Sequence, residues 1–388
     1  MKEKKSAVVR KKRLSPLELG LVGVIVLAIA GSIWMLVDSS QKKKQNTPFE
    51  RTGYAMGSLV QQTVYPNTES SSEAAAAVNS EITALENDIS WRVEGSDVER
   101  INEYAGKAGV QTEGRTASLL ETALLVAEKS NGAYNPALLP LSLLWNFDDP
   151  EVSFSPPEQE LVESLLPLAD YSRLSVNTAA GTAYLEQESA AVDLGGIGKG
   201  AACDVALELY EEKGVQGAVI AVGGSIGVYG SRPDGEDWII GVRDPSGEQA
   251  DALGTLTMKS GCVSTSGIYE KGAEVEGVYY HHIIDSRTGY PSDSGIISAT
   301  VLHQSGAISD ALATACVVLG RDGAMELLNA YGAEGIPVSY THLWRRRLIP
   351  VRFQIVLQHN GSHLVECRCF AGNIRADINF FHPLVRNC

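Results

Sequence analysis

Apolar residues recur at helical spacing over 70–91, where Ala75, Val78, Ile82, Leu85 and Ile89 share one face and predict a helix. The stripe of Leu119, Leu120, Ala123, Leu124 and Ala127 predicts a second helix over 116–130. Pro156-Pro157 marks a turn before a helical stretch at 158–166. The pattern then shortens. Segments 190–194, 217–222, 238–242, 253–258 and 296–302 are β-rich and bounded by Gly, Asp or Pro, which predicts strands, and 53–64 reads as a strand pair. Helices at 200–213 and 307–319 interrupt them, the second closing on Gly320 as a C-cap. There is no internal repeat and no strict β-α-β alternation, so the expected class is α+β, with mixed sheets and flanking helices.

One apolar run belongs to neither pattern. Residues 19–37 carry no charge, and nineteen residues at about 1.5 Å rise come close to a hydrocarbon core about 30 Å thick. Seven Lys/Arg precede the run and Lys42, Lys43 and Lys44 follow it. The bias predicts a single-pass transmembrane helix, with 1–18 cytoplasmic and the body extracytoplasmic. A cleaved signal peptide is the competing reading, but Trp34, Met35 and Leu36 end the run where a small-residue site belongs. A lipoprotein would need a cysteine there, and the first is Cys203. Residues 38–50 read as a polar linker.

Composition adds constraints. Hydrophobic content of 44% and charged content of 20% suit a packed body. The net charge of −15 is unevenly spread. Residues 1–44 carry ten Lys/Arg against Glu3, Glu18 and Asp38, and 338–388 carry seven Arg against Glu366 and Asp377. The intervening body is therefore more acidic than the whole chain, which argues against a nucleic-acid partner. Any phosphate-bearing substrate must find local positive potential in a metal, a lysine or a helix N-terminus. Cys203, Cys262 and Cys316 are widely spaced and read as buried free thiols.

Three segments carry candidate chemistry. Asp193-Leu194-Gly195-Gly196-Ile197-Gly198-Lys199-Gly200 lets backbone approach a ligand closely and offers helix N–H groups to an anion. It is not a Walker loop, because Gly200 follows Lys199 where Ser or Thr is required. It nearly fits a dinucleotide fingerprint, but 220–224 lack the acidic residue that fold places there. A tight structural turn is the alternative. Asp310 and Thr314 lie four apart on a helix, so both oxygens share a face suited to Mg²⁺ or Ca²⁺, or Asp310 is simply a helix-start residue. Tyr279 to Pro291 holds His281 and His282; neighbours on a strand point oppositely, so at most one of them can face a site as a base, the alternative being a strand end and turn with incidental histidines.

These segments fall in an order. The chain carries Gly53-Tyr54-Ala55-Met56-Gly57-Ser58, then Ser90-Trp91, then Gly132-Ala133-Tyr134-Asn135-Pro136 with Leu144-Trp145 after it. The glycine turn follows, then Gly223-Gly224, Trp238 and Arg243-Asp244-Pro245. Thr265-Ser266-Gly267-Ile268-Tyr269, the histidine segment and 310–314 complete the set. Over about 51–336 this resembles the ApbE family, the FAD:protein FMN transferases. The resemblance implies a two-lobed, T-fold-like domain over 51–337, with FAD in the cleft and Mg²⁺ at its pyrophosphate. By position it implies that Met56, Trp91, Ala133, Tyr134, Asn135, Asp193, Lys199 and Ile284 line the FAD site. It places magnesium on the carbonyls of Gly196 and Ala313 and the side chains of Asp310 and Thr314, and makes His282 the base.

The implied reaction moves FMN from FAD to a Thr or Ser hydroxyl of an extracytoplasmic acceptor protein and releases AMP. With water as acceptor the same site would be an FAD pyrophosphatase, and a non-catalytic flavin-binding membrane protein is the third reading. Asn135, Ser225 and Lys199 depart from the residues common in the family. After Pro337 the pattern stops, and 338–388 form an atypical Arg-rich tail.

Overall fold

The computed structural model describes residues 47–148, 153–247 and 251–339, together with the backbone of three short strands, Arg352–Ile355, Val365–Arg368 and Asp377–Ile378. A two-residue turn opens the fold. Met56 and Gly57 both take positive φ, 56° and 65°, and join β1 (Phe49–Ala55) to β2 (Ser58–Tyr65) as a tight antiparallel hairpin. Helix α1 (Glu69–Ile89) starts at Thr68, whose hydroxyl accepts the Ser71 N–H at 3.2 Å, and buries Ala75, Val78, Ile82, Leu85 and Ile89. Then come α2 (Asp97–Glu103), β3 (Val110–Gln111), α3 (Gly114–Lys129), α4 (Leu139–Trp145), α5 (Gln159–Leu165), β4 (Leu174–Asn177) and β5 (Thr182–Leu185).

The remaining elements build the centre. These are α6 (Gly195–Glu212), β6 (Gly217–Val222), β7 (Ser225–Gly230), β8 (Trp238–Arg243), β9 (Ala252–Met258) and β10 (Gly261–Gly267). They continue as β11 (Gly272–Val275), β12 (Val278–His281), β13 (Ile284–Asp285), β14 (Tyr290–Pro291), β15 (Ile296–His303), α7 (Gly306–Tyr331) and β16 (Glu334–Ser339). Seven strands form one sheet in the order β1-β2-β6-β7-β10-β15-β16, and every neighbouring pair is antiparallel. Helices α1, α6 and α7 pack against it and contribute a large share of the main core.

Helices α6 and α7 meet backbone to backbone. A Cβ built on Gly200 would lie 1.9 Å from the Gly306 carbonyl oxygen, and one on Gly306 would lie 2.3 Å from that of Gly200. Two carboxylates lock the crossing reciprocally. Asp204 of α6 accepts the N–H groups of Gly306 (2.5 Å) and Ala307 (2.9 Å) and the Ser305 hydroxyl (3.0 Å), satisfying the otherwise unpaired start of α7. Asp310 of α7 accepts the Gly200 N–H at 2.9 Å.

A smaller core forms around Leu141, Trp145, Val162 and Ile284. Trp145 donates its indole N–H to the Gly289 carbonyl at 2.8 Å and packs its ring against Tyr280 and Tyr290 at 5.8 and 5.7 Å. One side chain of α4 thus anchors the histidine segment from both sides of its bend.

The architecture is the expected mixed α+β fold, with local differences. Segment 190–194 is not a strand: Val192 and Asp193 donate to Asn102 Oδ1 (2.7 Å) and the Pro136 carbonyl (2.8 Å) in place of a ladder. The helix expected from 200 begins at Gly195, so all four glycines of the turn lie inside α6. Gly320 does interrupt α7 (φ 73°, ψ −177°), but helix resumes and ends at Gly332. Strand β1 begins at Phe49, inside the expected linker, and β16 runs past Pro337 to Ser339. Among the described residues no helix is long and apolar enough to cross a membrane, and the anchor expected at 19–37 lies outside them. Cys203, Cys262 and Cys316 are free and buried as expected, and burial pushes the Cys316 thiol up to about 12.

Candidate active site

The first turn of α6 gathers most of the expected groups. Leu194 supplies no side-chain cap, but Asp193 Oδ1 accepts the Gly195 N–H at 2.8 Å and Lys199 Nζ donates to the Gly195 carbonyl at 3.1 Å. A helix start with a lysine on the same turn favours an anion. Met56 reaches over from the hairpin turn, its methyl 2.9 Å from where a Cβ of Gly198 would be. From the same position on Gly196, the Tyr134 ring is 3.2 Å away and Thr314 Oγ1 3.9 Å. Thr314 Oγ1 in turn shares a 3.0 Å hydrogen bond with Ser266 Oγ.

Tyr134 lies between the carboxylates. Burial first, then Asp193 and Asp310, hold its hydroxyl well above the usual tyrosine range, so it stays protonated. That hydroxyl is buried and has no hydrogen-bond partner among the described residues. Burial also raises Asp193, against the Gly195 N–H, Arg92 and Lys199.

The donor set fits magnesium. Asp310, Thr314 and backbone carbonyls are all hard oxygens. The Gly196 carbonyl has two lone pairs, so one can face a cation even where the other takes a helical bond. Among the described residues no three His, Cys, Asp or Glu side chains cluster as a metal site. Magnesium needs no such cluster, since one or two carboxylates suffice when substrate phosphates complete its shell.

The two histidines differ in setting, His281 ending β12 and His282 lying in the bend just after it. His281, buried at the end of β12, hydrogen-bonds through Nε2 to the Ser292 carbonyl (3.0 Å) and accepts the Ile283 N–H at Nδ1 (3.3 Å). Both ring nitrogens are spent on structure. His282 Nδ1 lies 3.1 Å from the Lys271 carbonyl, and a carbonyl only accepts, so the proton sits on Nδ1. The lone pair is then on Nε2. Burial pushes His282 down to about 4, helped by Lys271, His281 and Lys199 and opposed by its bond to Lys271. It is neutral at pH 7.

A cleft of about 290 Å³ adjoins the helix start, lined by Trp91, Arg92, Ser142, Leu143, Asp148 and Asp193 among others. Trp91 forms an aromatic wall, with the Arg92 guanidinium 4.0 Å from its ring centroid and a buried indole N–H that has no partner among the described residues.

The expected residues thus divide. Met56, Tyr134, Lys199, Gly196, Asp310 and Thr314 converge on the start of α6, with buried Ala313 next to Thr314 on α7. Trp91 and Asp193 share the adjoining cleft, and His282 lies within electrostatic reach of Lys199. Three others have committed side chains. Asn135 donates to the Ala169 carbonyl (2.8 Å) and accepts the Ala137 N–H (2.8 Å); Ala133 is buried in the main core and Ile284 in the smaller one. Sequence reasoning did not pick out Arg92, Asp148, Lys271 or Asp204, which are charged residues outside any recognisable motif.

Comparison with known proteins agrees with this geometry. The model of the ApbE family matches residues 56–337. The FAD:protein FMN transferase of Treponema pallidum is 31% identical over 328 residues, covering 80% of this chain and 88% of that protein. The protein of the same name from Escherichia coli K12 is 25% identical over 264 residues, covering 68% and 75%. Among solved structures, the ApbE protein of Thermotoga maritima superposes with a TM-score of 0.70 at 30% identity, covering 76% of this chain and 95% of that one. The flavin transferase ApbE of Vibrio cholerae, at 24% identity and a TM-score of 0.67 over 76% and 94%, shares the fold. With the family model spanning most of the chain and a relative at that identity over most of its length, this chain belongs to the ApbE family.

Proposed function

We propose that this chain is an FAD:protein FMN transferase that esterifies a Thr or Ser hydroxyl of an acceptor protein with FMN and releases AMP. Family membership and the names of its relatives support the reaction class. The observation that carries it is His282, which is neutral, fixed in one tautomer by the Lys271 carbonyl and free at Nε2. A hydroxyl is a weak nucleophile until a base takes its proton. His282 Nε2 accepts that proton while the oxygen bonds to the FMN-side phosphorus; the bond from phosphorus to the bridging oxygen breaks, and AMP leaves with that oxygen. Lys199 and the start of α6 attract the diphosphate, Trp91 and Met56 offer apolar surface to the flavin side, and the Tyr134 hydroxyl is a donor without a partner in the protein. Asp310, Thr314 and the carbonyls of Gly196 and Ala313 would hold Mg²⁺, which when bound neutralises diphosphate charge.

The body works outside the cytoplasm, on the basis of the basic flank before the uncharged run at 19–37, which serves as its membrane anchor. The reaction is tested by incubating the full chain with FAD, Mg²⁺ and a Thr-bearing acceptor protein. Flavin fluorescence that stays on the acceptor in a denaturing gel, with AMP released, is expected. AMP without labelling would assign the chain to FAD hydrolysis, and flavin binding without AMP to a scaffold role.

A further inference from the structure

The cleft carries charge that neither the motifs nor the reaction above use. Asp148, at its rim, is held by two cations from distant parts of the chain. Arg92 Nη2 approaches its Oδ2 at 2.5 Å, and Lys271 Nζ bonds its Oδ1. Burial alone would raise this carboxyl, but Lys271 and Arg92 hold it below the usual carboxylate range, so it stays ionised. Both cations also act on groups of the site. Arg92 lies over Trp91 and, with Lys199, acts on Asp193. Lys271 and Lys199 both act on His282, which is bonded to the Lys271 carbonyl. Arg92 thus lines the cleft beside the aromatic wall, and Asp148 ties Lys271 to that same rim.

That arrangement poses a problem for an anionic substrate. The cleft that must admit it presents Asp148 and Asp193 in a strongly acidic body. Two cations sharing one carboxylate leave an unbalanced positive charge, and a diphosphate brings two negative charges, enough to satisfy both without Asp148. All three side chains are about half exposed, so the exchange costs little burial and the bonds being broken are weak ones.

We propose that Arg92 and Lys271 are substrate-binding residues for the diphosphate of the flavin nucleotide, held in the free enzyme by Asp148, which the phosphoryl oxygens displace. Asp148 is a placeholder. It keeps two flexible cations at the mouth of an acidic cleft, and it competes with the substrate for them. The inference rests on the flavin-nucleotide reading above and adds its phosphate contacts. Removing the competitor must strengthen binding, whereas removing a cation must weaken it.

The test is calorimetric titration of the full chain and its variants with FAD, and separately with riboflavin, which lacks phosphate, in EDTA to prevent turnover. Asp148→Asn is expected to tighten FAD binding about two- to five-fold, the range of an exposed ion pair. Lys271→Met is expected to weaken it by at least as much, and riboflavin binding is unchanged in both. FAD binding by Asp148→Asn that is equal to or weaker than wild type overturns the placeholder role, as does a parallel shift for riboflavin. FAD binding no stronger than riboflavin binding in the wild-type chain instead counts against the flavin-nucleotide reading itself. Melting curves of both variants confirm that the titrated protein is folded.

Discussion

Replacing Gly200 by Ala tests the helix crossing on which the proposed metal site depends. The added Cβ would sit 1.9 Å from the Gly306 carbonyl oxygen and 2.8 Å from the Asp310 Cβ, whereas ordinary contact begins near 3.4 Å. The nearest obstacle is backbone, so no side-chain rotation relieves it and α6 and α7 must part by about 1.5 Å, the difference between those two distances. Overpacking of this kind costs about 1–3 kcal/mol, and loss of the Gly200 N–H bond to the Asp310 carboxylate adds about 1.5–3 kcal/mol. A total of roughly 2.5–6 kcal/mol lowers the melting temperature by on the order of 10 °C in a body of this size. The same separation draws Asp310 and Thr314 on α7 away from Gly196 on α6, so the Mg²⁺ concentration giving half-maximal activity rises as well. Thermal melts and a Mg²⁺ titration below the new melting point read the two effects. Gly114→Ala, whose Cβ meets nothing within 4 Å, is the control and does not destabilise, gaining at most about 1 kcal/mol. A Gly200→Ala protein with wild-type melting and wild-type Mg²⁺ dependence would refute the crossing as the support of the site.

Other predictions follow from individual groups. His282→Gln lowers kcat by about 10²- to 10⁴-fold while FAD affinity measured by titration stays near wild type; a rate within a few-fold of wild type removes His282 as the base. Because His282 is pushed down to about 4, it is neutral above that pH and gains a proton below it, so the acid limb of kcat/KM for the wild type falls near pH 4. An acid limb near 6.5 would mean the histidine is not desolvated as described. Tyr134→Phe removes a buried hydroxyl without a partner, so the ligand-free protein melts no lower than wild type, yet FAD binds more weakly; equal FAD affinity in the two proteins contradicts a ligand role for the hydroxyl. Asp310→Ala abolishes Mg²⁺-dependent turnover, and an undiminished rate at saturating Mg²⁺ rules out its role as a ligand.

Long amphipathic elements were legible because one rule governs them. The stripe from Ala75 to Ile89 predicted α1 nearly to its ends, and the apolar run at 217–222 matches β6. Strands β7 and β10 are central in the sheet but read Ser-Ile-Gly-Val-Tyr-Gly and Gly-Cys-Val-Ser-Thr-Ser-Gly, too small and polar to stand out as hydrophobic runs. The glycines at 195–200 read as a turn ahead of the helix, yet they lie inside it, and Gly200 is glycine because the approach of Gly306 leaves no room for a Cβ, a constraint set by a segment more than a hundred residues away. Long range also explains what was missed in the site. Arg92, Asp148 and Lys271 are separated by 56 and 123 residues, so only the fold brings them together. Residue type and spacing left His281 and His282 open, and only the resemblance chose His282; in the structure His281 ends β12 and His282 lies just past it, and the carbonyls of Ser292 and Lys271 fix which nitrogens are taken.

The central claim is that this site moves FMN onto a protein hydroxyl with His282 as the base. Intact-mass analysis of the acceptor protein after incubation with the full chain, FAD and Mg²⁺, with AMP measured in the same sample, tests it most directly. The account predicts an acceptor heavier by FMN less one water, located on a Thr or Ser, with one AMP released per FMN attached, and neither product when His282→Gln replaces the wild type. An unmodified acceptor, or labelling that persists undiminished in the His282→Gln protein, would contradict it.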